Sequence, residues 1–232
     1  GSATASLNGA LERQEGEVVS VNVSFKNISP VAFRDSLVVQ QTIFSPTGAP
    51  QMSERKLGRL QPNEEAAFTV AMPTLGKGGD NRLLVTINPR RQPEQNYDNN
   101  TINLPFTVVP DRFAPTLDVF FDGQHIRDGE VVSATPTILL QLKDENRFLF
   151  KRDTLGMDLF LQFFSQTTFQ RIAFSSSVIR FVPADNQNVA RIEFRPSALP
   201  DGVYTLRFQG ADATLNRTGV YQISFRVINE QK

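Results

Sequence analysis

Side chains with obvious chemistry are few in this sequence. It contains one histidine, His125, and no cysteine. A lone histidine cannot build a multi-histidine zinc site, and the lack of cysteine excludes a thiol nucleophile, a disulfide framework and thiolate metal ligands within this chain. His125 stands between two Asp-Gly pairs, and no serine occurs in a nucleophile-elbow pattern. We therefore interpret His125 as a loop or hairpin residue and predict that this chain is not itself an enzyme.

Oxygen-rich segments follow two apolar stretches in the second half. Asp144 and Asn146 come directly after one stretch, and Asp212 and Asn216 come just after another. Calcium takes six to eight hard oxygen ligands, so these four residues are calcium candidates. Their spacing matches no EF-hand loop, and Asp and Asn are also common turn residues because they cap the local backbone. We favour the turn interpretation here, and also for the carboxylates and amides of residues 94–100.

Aromatic composition bears on sugar binding, which commonly uses exposed Trp or Tyr faces. The sequence has no Trp, three Tyr and 19 Phe. Tyr204 and Tyr221 fall inside strand patterns and are predicted to lie in or near a core. One group of phenylalanines is dense enough either to cover the end of a fold or to form an apolar patch for a neighbouring domain. The group consists of Phe148, Phe150, Phe163, Phe164 and Phe169.

The elements that must position these residues are strands. Residues 17–25 read EVVSVNVSF, in which Val and Phe alternate with Ser and Asn, the pattern of a half-buried strand. Similar stretches recur along the chain between turn-forming segments, and no sustained helical period is present. The predicted strands are 17–25, 36–44, 64–72, 82–88, 101–109, 116–121, 136–142, 157–164, 178–182, 190–195, 203–209 and 220–227. Because Pro105 cannot donate to a sheet, we place the strand 101–109 at an edge.

A boundary is predicted at residues 110–115, where Pro110 and Pro115 stiffen the backbone. About 110 residues lie on each side, close to the size of one immunoglobulin-like sandwich. The sequence therefore predicts an all-β chain of two tandem immunoglobulin-like β-sandwich domains, residues 5–109 and residues 116–230.

Charge and hydropathy exclude several partners. Lys and Arg together number 24, as do Asp and Glu, so the formal net charge is zero and no basic footprint for nucleic acid exists. No apolar run approaches the ~20 residues that span a bilayer. The opening Gly1-Ser2 is typical of an expression scar and no signal peptide follows it, so we expect a piece of a longer chain.

The first half resembles a CARDB module, a bacterial cell-adhesion-related sandwich. The resemblance rests on GEVVSVNVSFKNIS (16–29), LGRLQPNEEAAFTV (57–70) and INPRRQPEQNYDNN (87–100). These stretches match the Gly-x-x-Val strand, the Leu-x-Pro-Asn turn and the closing acidic-Asn-Asn loop of that family. It implies a sandwich over residues 8–109.

The second half resembles the Ig-like segment of large exported Bacteroidetes proteins. This resemblance rests on residues 116–154, 178–185 (VIRFVPAD) and 199–227. In gingipain-like and PorU-like peptidases this segment follows a cysteine peptidase domain and a CARDB module, and it precedes the signal for type IX secretion. The resemblance implies an exported protein, in the periplasm, on the outer-membrane surface or outside the cell. The parent's Cys-His pair would lie in another domain.

The resemblance also implies O-glycosylation at Asp followed by Ser or Thr and an aliphatic residue. Asp35-Ser36-Leu37 and Asp153-Thr154-Leu155 match. Thr154, in a predicted loop, is the better candidate, because Ser36 begins a predicted strand. Intact-mass analysis of protein from the native host tests this expectation, and an unmodified mass refutes it.

Together these observations predict a non-catalytic spacer and docking arm. Its partners would be neighbouring domains of the parent chain or secretion and surface proteins. The alternative is an adhesion or carbohydrate-binding module pair of a cell-surface protein.

Overall fold

The computed structural model describes residues 1–163 and 165–229, which form two compact units. We call Gly1–Asp111 the first sandwich and Arg112–Lys232 the second sandwich. Nearly all regular structure is β-strand, which confirms the predicted all-β fold of two tandem immunoglobulin-like sandwiches. Within the described residues, no helix is long and apolar enough to cross a membrane.

The first sandwich contains eight strands and a 3-10 helix at Asp98–Asn100. The strands are β1 (Ser2–Leu7), β2 (Glu12–Gln14), β3 (Val18–Lys26), β4 (Val38–Phe44), β5 (Gln51–Lys56), β6 (Glu65–Pro73), β7 (Gly79–Ile87) and β8 (Thr101–Val109). One sheet has the order β1-β3-β6 and the other has the order β2-β8-β7-β4-β5. All pairs are antiparallel except β2 with β8, which is parallel.

Alternation along β3 builds the first core. Val19, Val21, Val23 and Phe25 are buried, while the residues between them face outward. β-branched side chains suit this pleated, half-buried surface, and the apolar face packs against the inward residues of β7. Burial of that face fixes the register, because a one-residue slip would turn Val19, Val21 and Val23 to solvent.

The prediction that residues 101–109 form an edge strand is wrong. β8 lies between β7 and β2. β2 pairs only with residues 107–109, so it stops short of Pro105, which pairs opposite Arg82 of β7. A short partner strand therefore lets a proline sit in a strand that is not at the sheet edge.

The described residues of the second sandwich form nine strands. They are β9 (Thr116–Phe121), β10 (Glu130–Val132), β11 (Ile138–Lys143), β12 (Asp158–Gln162), β13 (Gln170–Arg171), β14 (Ile179–Val182), β15 (Val189–Phe194), β16 (Gly202–Gln209) and β17 (Tyr221–Val227). The sheets have the orders β14-β15-β11-β9 and β10-β17-β16-β12-β13, and β10 with β17 is the parallel pair.

Both sandwiches follow one strand plan. β1, β3 and β6 correspond in order to β9, β11 and β15, and the five-stranded sheets also correspond strand by strand. Of the described strands of the second sandwich, β14 alone has no counterpart in the first sandwich. This difference leaves β6 at the edge of its sheet, whereas β14 covers β15.

Tyr204 closes the turn before β16. Its side chain is fully buried and its hydroxyl donates to the carbonyl oxygen of Pro200 at 2.7 Å. This is the tyrosine-corner arrangement of immunoglobulin-like sandwiches, in which a tyrosine near the start of a strand binds the backbone just upstream. The predicted core position of Tyr204 is thereby confirmed.

Candidate functional site

The structure brings the calcium candidates to one end of the second sandwich, where β11 and β16 end. Asp144 and Asp212 are 5% and 1% exposed, and carboxylate oxygens of the two residues lie within 4.8 Å of each other. Two like charges this close in a buried site require a cation, a proton or several donors.

Local donors bind many of these oxygens. Asp212 Oδ1 accepts from the backbone N–H groups of Thr214 (2.8 Å) and Asn216 (2.9 Å), and Asn216 Nδ2 donates to Oδ2 (2.8 Å). Asn146 Oδ1 accepts from the N–H groups of Phe148 and Leu149 at 2.8 and 2.9 Å. These are the backbone-capping contacts that the turn interpretation describes.

Asn188 joins the Asp144 segment to the loop before β15. Its Nδ2 donates to Asp144 Oδ2 at 3.2 Å and to the carbonyl oxygen of Asn146 at 2.8 Å. The side-chain oxygens of Asp144, Asn146 and Asp212 therefore accept hydrogen bonds that order the loops after β11 and β16 and the loop before β15. Calcium coordination by the four candidates stays a prediction.

A buried lysine supplies positive charge at the same end. Lys151 is 4% exposed, and its Nζ donates to the carbonyl oxygens of Leu155 (2.6 Å) and Asp212 (3.0 Å). Lys151 also forms a hydrogen-bonded ion pair with Asp153 at 3.1 Å. This bond is the largest cause of a lowered pKa of Asp153, and a hydrogen bond from the Leu155 N–H is the second. The ammonium group thus holds the loop after β11 against the loop after β16. We did not single out Lys151 from the sequence, although its position in the apolar FLFK stretch was a usable indication.

The two glycosylation candidates differ in exposure. Ser36 is exposed and precedes β4, which begins only at Val38 rather than at the predicted residue 36. Thr154 is half-buried in the turn that Asp153 caps through the Leu155 N–H. Ser36 is therefore the more exposed of the two residues, whereas the sequence favoured Thr154, and glycosylation of either residue stays a prediction.

His125 lies in an exposed loop, as predicted. Its Nδ1 is 3.1 Å from the carbonyl oxygen of Val119, and its ring lies 4.3 Å from that of Phe120. The contact between Nδ1 and the Val119 carbonyl oxygen orients the imidazole ring against β9.

The predicted phenylalanine group divides between two roles. Phe150 and Phe163 pack against the second core, and Arg207 lies over the ring of Phe169 at 3.7 Å. Phe148 is the exposed member, and Phe164 lies outside the described residues. Core covering therefore accounts for part of the group, and of its four described members Phe148 is the exposed one.

A groove of about 730 Å³ opens on the first sandwich. We call it the 27–34 groove, after the segment that forms one wall; residues 92–96 contribute to the other. Its lining includes Ile28 and Val31, which are 58% and 69% exposed. Sequence reasoning missed this groove because its apolar residues lie in loops and follow no strand period.

Buried amides fix the first wall of the groove. Asn27 is almost completely buried, and its Nδ2 donates to the carbonyl oxygens of Val31 (2.9 Å) and Gln61 (3.1 Å). Its Oδ1 accepts from the Ser29 N–H at 3.1 Å. These bonds position the backbone of residues 27–31, whose Ile28 and Val31 side chains are exposed in the groove.

The second wall is equally constrained. Glu94 Oε1 accepts from Asn88 Nδ2 (2.5 Å) and Asn100 Nδ2 (2.8 Å). Gln92 Nε2 donates to the carbonyl oxygen of Asp35 at 3.0 Å. The carboxylates and amides of residues 94–100 therefore serve the connection between β7 and β8, in agreement with the hairpin interpretation.

Comparisons with known proteins give the fold its context. No protein-family model matches the sequence, and no curated protein matches it significantly. The CARDB domain of the Pyrococcus furiosus PF1109 protein, solved with di-metal ions, is 22% identical, with a TM-score of 0.37; the match covers 47% of this chain and 94% of that domain. Dimeric latent PorU of Porphyromonas gingivalis is 14% identical, with a TM-score of 0.40, over 100% of this chain and 24% of PorU. The solved structures similar to this chain thus include a CARDB domain and PorU, and at TM-scores below 0.5 they assign it no site and no activity.

Proposed function

We propose that this chain is a non-catalytic spacer and docking arm of a larger protein, and that the first sandwich binds a partner domain in the 27–34 groove. The observation that carries the proposal is the pair Ile28 and Val31, two apolar side chains exposed in a groove of about 730 Å³ on a backbone positioned by buried hydrogen bonds. A preformed apolar groove avoids the ordering cost that a flexible loop incurs on binding.

The chemistry of the chain supports a role without catalysis. It has no cysteine and one histidine, and that histidine contacts a backbone carbonyl. A catalytic site needs a nucleophile, a base and an oxyanion-stabilising group that converge in space. We place any catalytic activity of the parent protein in another domain.

The parent we propose is an exported gingipain-like peptidase linked to type IX secretion. Its support is the sequence resemblance of residues 8–109 and 116–227 to the modules of such proteins. The arm would then hold the peptidase domain at a distance from a secretion or surface partner. Knowledge of the flanking sequence tests this assignment: a chain of further adhesive repeats in place of a peptidase domain would contradict it.

The docking role is tested by adding the remaining domains of the parent protein in trans. We expect a one-to-one complex in analytical ultracentrifugation. Val31→Asp should weaken it at least tenfold, a loss of about 1.4 kcal/mol, because a charge enters the apolar contact. Val203→Asp is the matched control, since Val203 is an exposed valine on the second sandwich, and it should leave the affinity unchanged. Equal affinity of the Val31→Asp and unsubstituted chains would reject the groove as the docking site.

The alternative of a carbohydrate-binding or adhesive pair has one observation in its favour. The outer face of β1, β3 and β6 carries Thr4, Asn22, Ser24 and Thr69 along a shallow depression. Hydroxyl and amide groups of this kind can bind sugar hydroxyls. A glycan-array screen at several calcium concentrations separates the two functions, because hits that Asn22→Ala abolishes and Val31→Asp preserves would favour the alternative.

A further inference from the structure

The outer edge of β6 has no partner strand among the described residues. β6 ends the order β1-β3-β6, and no other described strand pairs with it. Natural sheets protect such edges with charged residues, proline, bulges or covering segments, since unpaired backbone groups recruit other strands. Residues 66–72 of β6 read AAFTVAM and contain no charge, no proline and no glycine. The edge therefore has the composition of a strand that pairs.

One hydrogen bond and the strand register show which backbone groups of β6 point away from β3. The Asn8 N–H donates to the carbonyl oxygen of Ser20, so even-numbered residues of β3 point their backbone groups toward β1 and odd-numbered residues point theirs toward β6. The register opposes Asn22 to Thr69, which leaves the backbone groups of Ala67, Thr69 and Ala71 directed outward. Arg55 Nη1 reaches the Thr69 carbonyl oxygen from that side, at 3.4 Å.

In the second sandwich, the strand edge that corresponds to the free edge of β6 is occupied by another strand. There the corresponding strand, β15, is paired along residues 191–194 with the antiparallel strand β14. Ile179 and Phe181 of β14 alternate inward and pack against the core. The shared strand plan thus contains a position for an antiparallel strand with apolar residues at every second position, and in the first sandwich no described strand fills it.

Arg55 adds a charge preference to this position. Its guanidinium lies over the ring of Phe68 at 3.9 Å, beside the free edge. Its Nε and Nη2 are shielded from solvent and have no hydrogen-bond partner among the described residues. Partial burial of the guanidinium lowers the pKa of Arg55. Unpaired buried donors of this kind favour an acceptor, and a carboxylate matches the guanidinium in charge and geometry.

We propose that β6 binds an extended peptide strand of a partner protein by antiparallel addition to its free edge, with apolar residues alternating along the peptide and an Asp or Glu bound to Arg55. Main-chain hydrogen bonds would provide affinity, and the acidic residue would provide selectivity. This site is separate from the 27–34 groove, so it does not depend on the docking role proposed above.

The test uses the whole chain and a display library of nine-residue peptides with Val, Ile or Phe at alternate positions and random residues between them. We expect selection to enrich peptides that contain Asp or Glu. On addition of an enriched peptide, the amides of Ala67, Thr69 and Ala71 should become protected from hydrogen exchange. Failure to enrich, or protection elsewhere without these three amides, would overturn the proposal.

Variants then locate the binding. Thr69→Pro removes an outward N–H while leaving the pairing with β3 intact, and it should reduce peptide affinity at least tenfold. Arg55→Gln keeps the sequence and the outward N–H groups of β6, so it provides a second test if Thr69→Pro does not fold. It should weaken the acidic peptide about tenfold and have little effect on the same peptide with its acid replaced by the amide. Val31→Asp should have no effect. Loss of binding through Val31→Asp alone, or protection of the β6 amides by self-association without peptide, would overturn the proposal.

Discussion

Single buried polar groups hold the loops of both sandwiches. Asn27 in the first sandwich and Lys151 in the second each donate to two or more backbone carbonyl groups from an almost completely buried position. Removing such a donor leaves buried acceptors without a partner, which costs more than the hydrogen bond contributes to net stability. The loops at these sites are therefore specified by polar side chains as much as by apolar packing.

Removal of the tyrosine-corner hydroxyl of Tyr204 tests how much one buried polar group contributes to stability. Tyr204→Phe keeps the buried ring and removes the donor to Pro200, so we expect a loss of about 1 kcal/mol in the free energy of unfolding. Urea unfolding followed by NMR signals of β16 measures it. Tyr221→Phe is the control and should change stability by a few tenths of a kcal/mol at most. Equal effects of the two substitutions would contradict the role of the corner.

Loss of the buried ammonium group is a second test. Lys151→Met keeps most of the side-chain volume but leaves the Leu155 and Asp212 carbonyl oxygens without this donor, so we expect a destabilisation of about 2 kcal/mol. In the same variant the pKa of Asp153, measured by NMR titration, should rise toward its ordinary value, because the hydrogen bond from Lys151 is the main cause of its lowering.

The control for this test is Lys143→Met, at an exposed lysine, which should leave both stability and the Asp153 titration unchanged. An unchanged pKa in Lys151→Met would show that the ion pair with Asp153 has no effect in solution.

At the scale of elements, apolar alternation identified the strands that face a core. β3, β11 and β16 match predicted stretches within two residues at each end. β5 was missed because all but one of its residues are exposed, so it has no apolar face. β10 and β13 were missed because strands of three and two residues are too short to show a period. Edge strands exist through backbone pairing, which side-chain patterns do not record.

The candidate sites also divide into features that the local sequence indicates and features that depend on distant contacts. Asp144, Asn146, Asp212 and Asn216 were named from the sequence as calcium candidates, with the turn interpretation favoured. The structure places the carboxylates of Asp144 and Asp212 close together, because strands that end at the same edge place their loops together. The cation at that end, Lys151, was missed, as was the 27–34 groove. Both depend on contacts between segments far apart in sequence, for example Asn27 with Gln61, which no local pattern specifies.

At the scale of the whole molecule, the chain consists of two units with separate apolar cores. One core is built from residues of the first sandwich and the other from residues of the second. Units of about 110 residues bury enough apolar surface to be stable without disulfides or metal. The spacer role that we propose requires this, because each module must hold its shape without help from the other.

Separate expression tests this independence. Residues 1–111 and residues 112–232, produced alone, should each give dispersed NMR spectra and a single cooperative unfolding transition. The spectrum of the intact chain should approximate the sum of the two. A half that is unfolded alone but folded in the intact chain would contradict the prediction.

The parallel pairs β2 with β8 and β10 with β17 have a mechanical consequence. In each sandwich the first of these strands lies near the beginning of the unit and the second lies near its end. A force that stretches the chain would pull two parallel strands in opposite directions along their length. The hydrogen bonds between them would then be loaded together, in shear, instead of opening one after another. A module built in this way resists extension, which suits the spacer role that we propose.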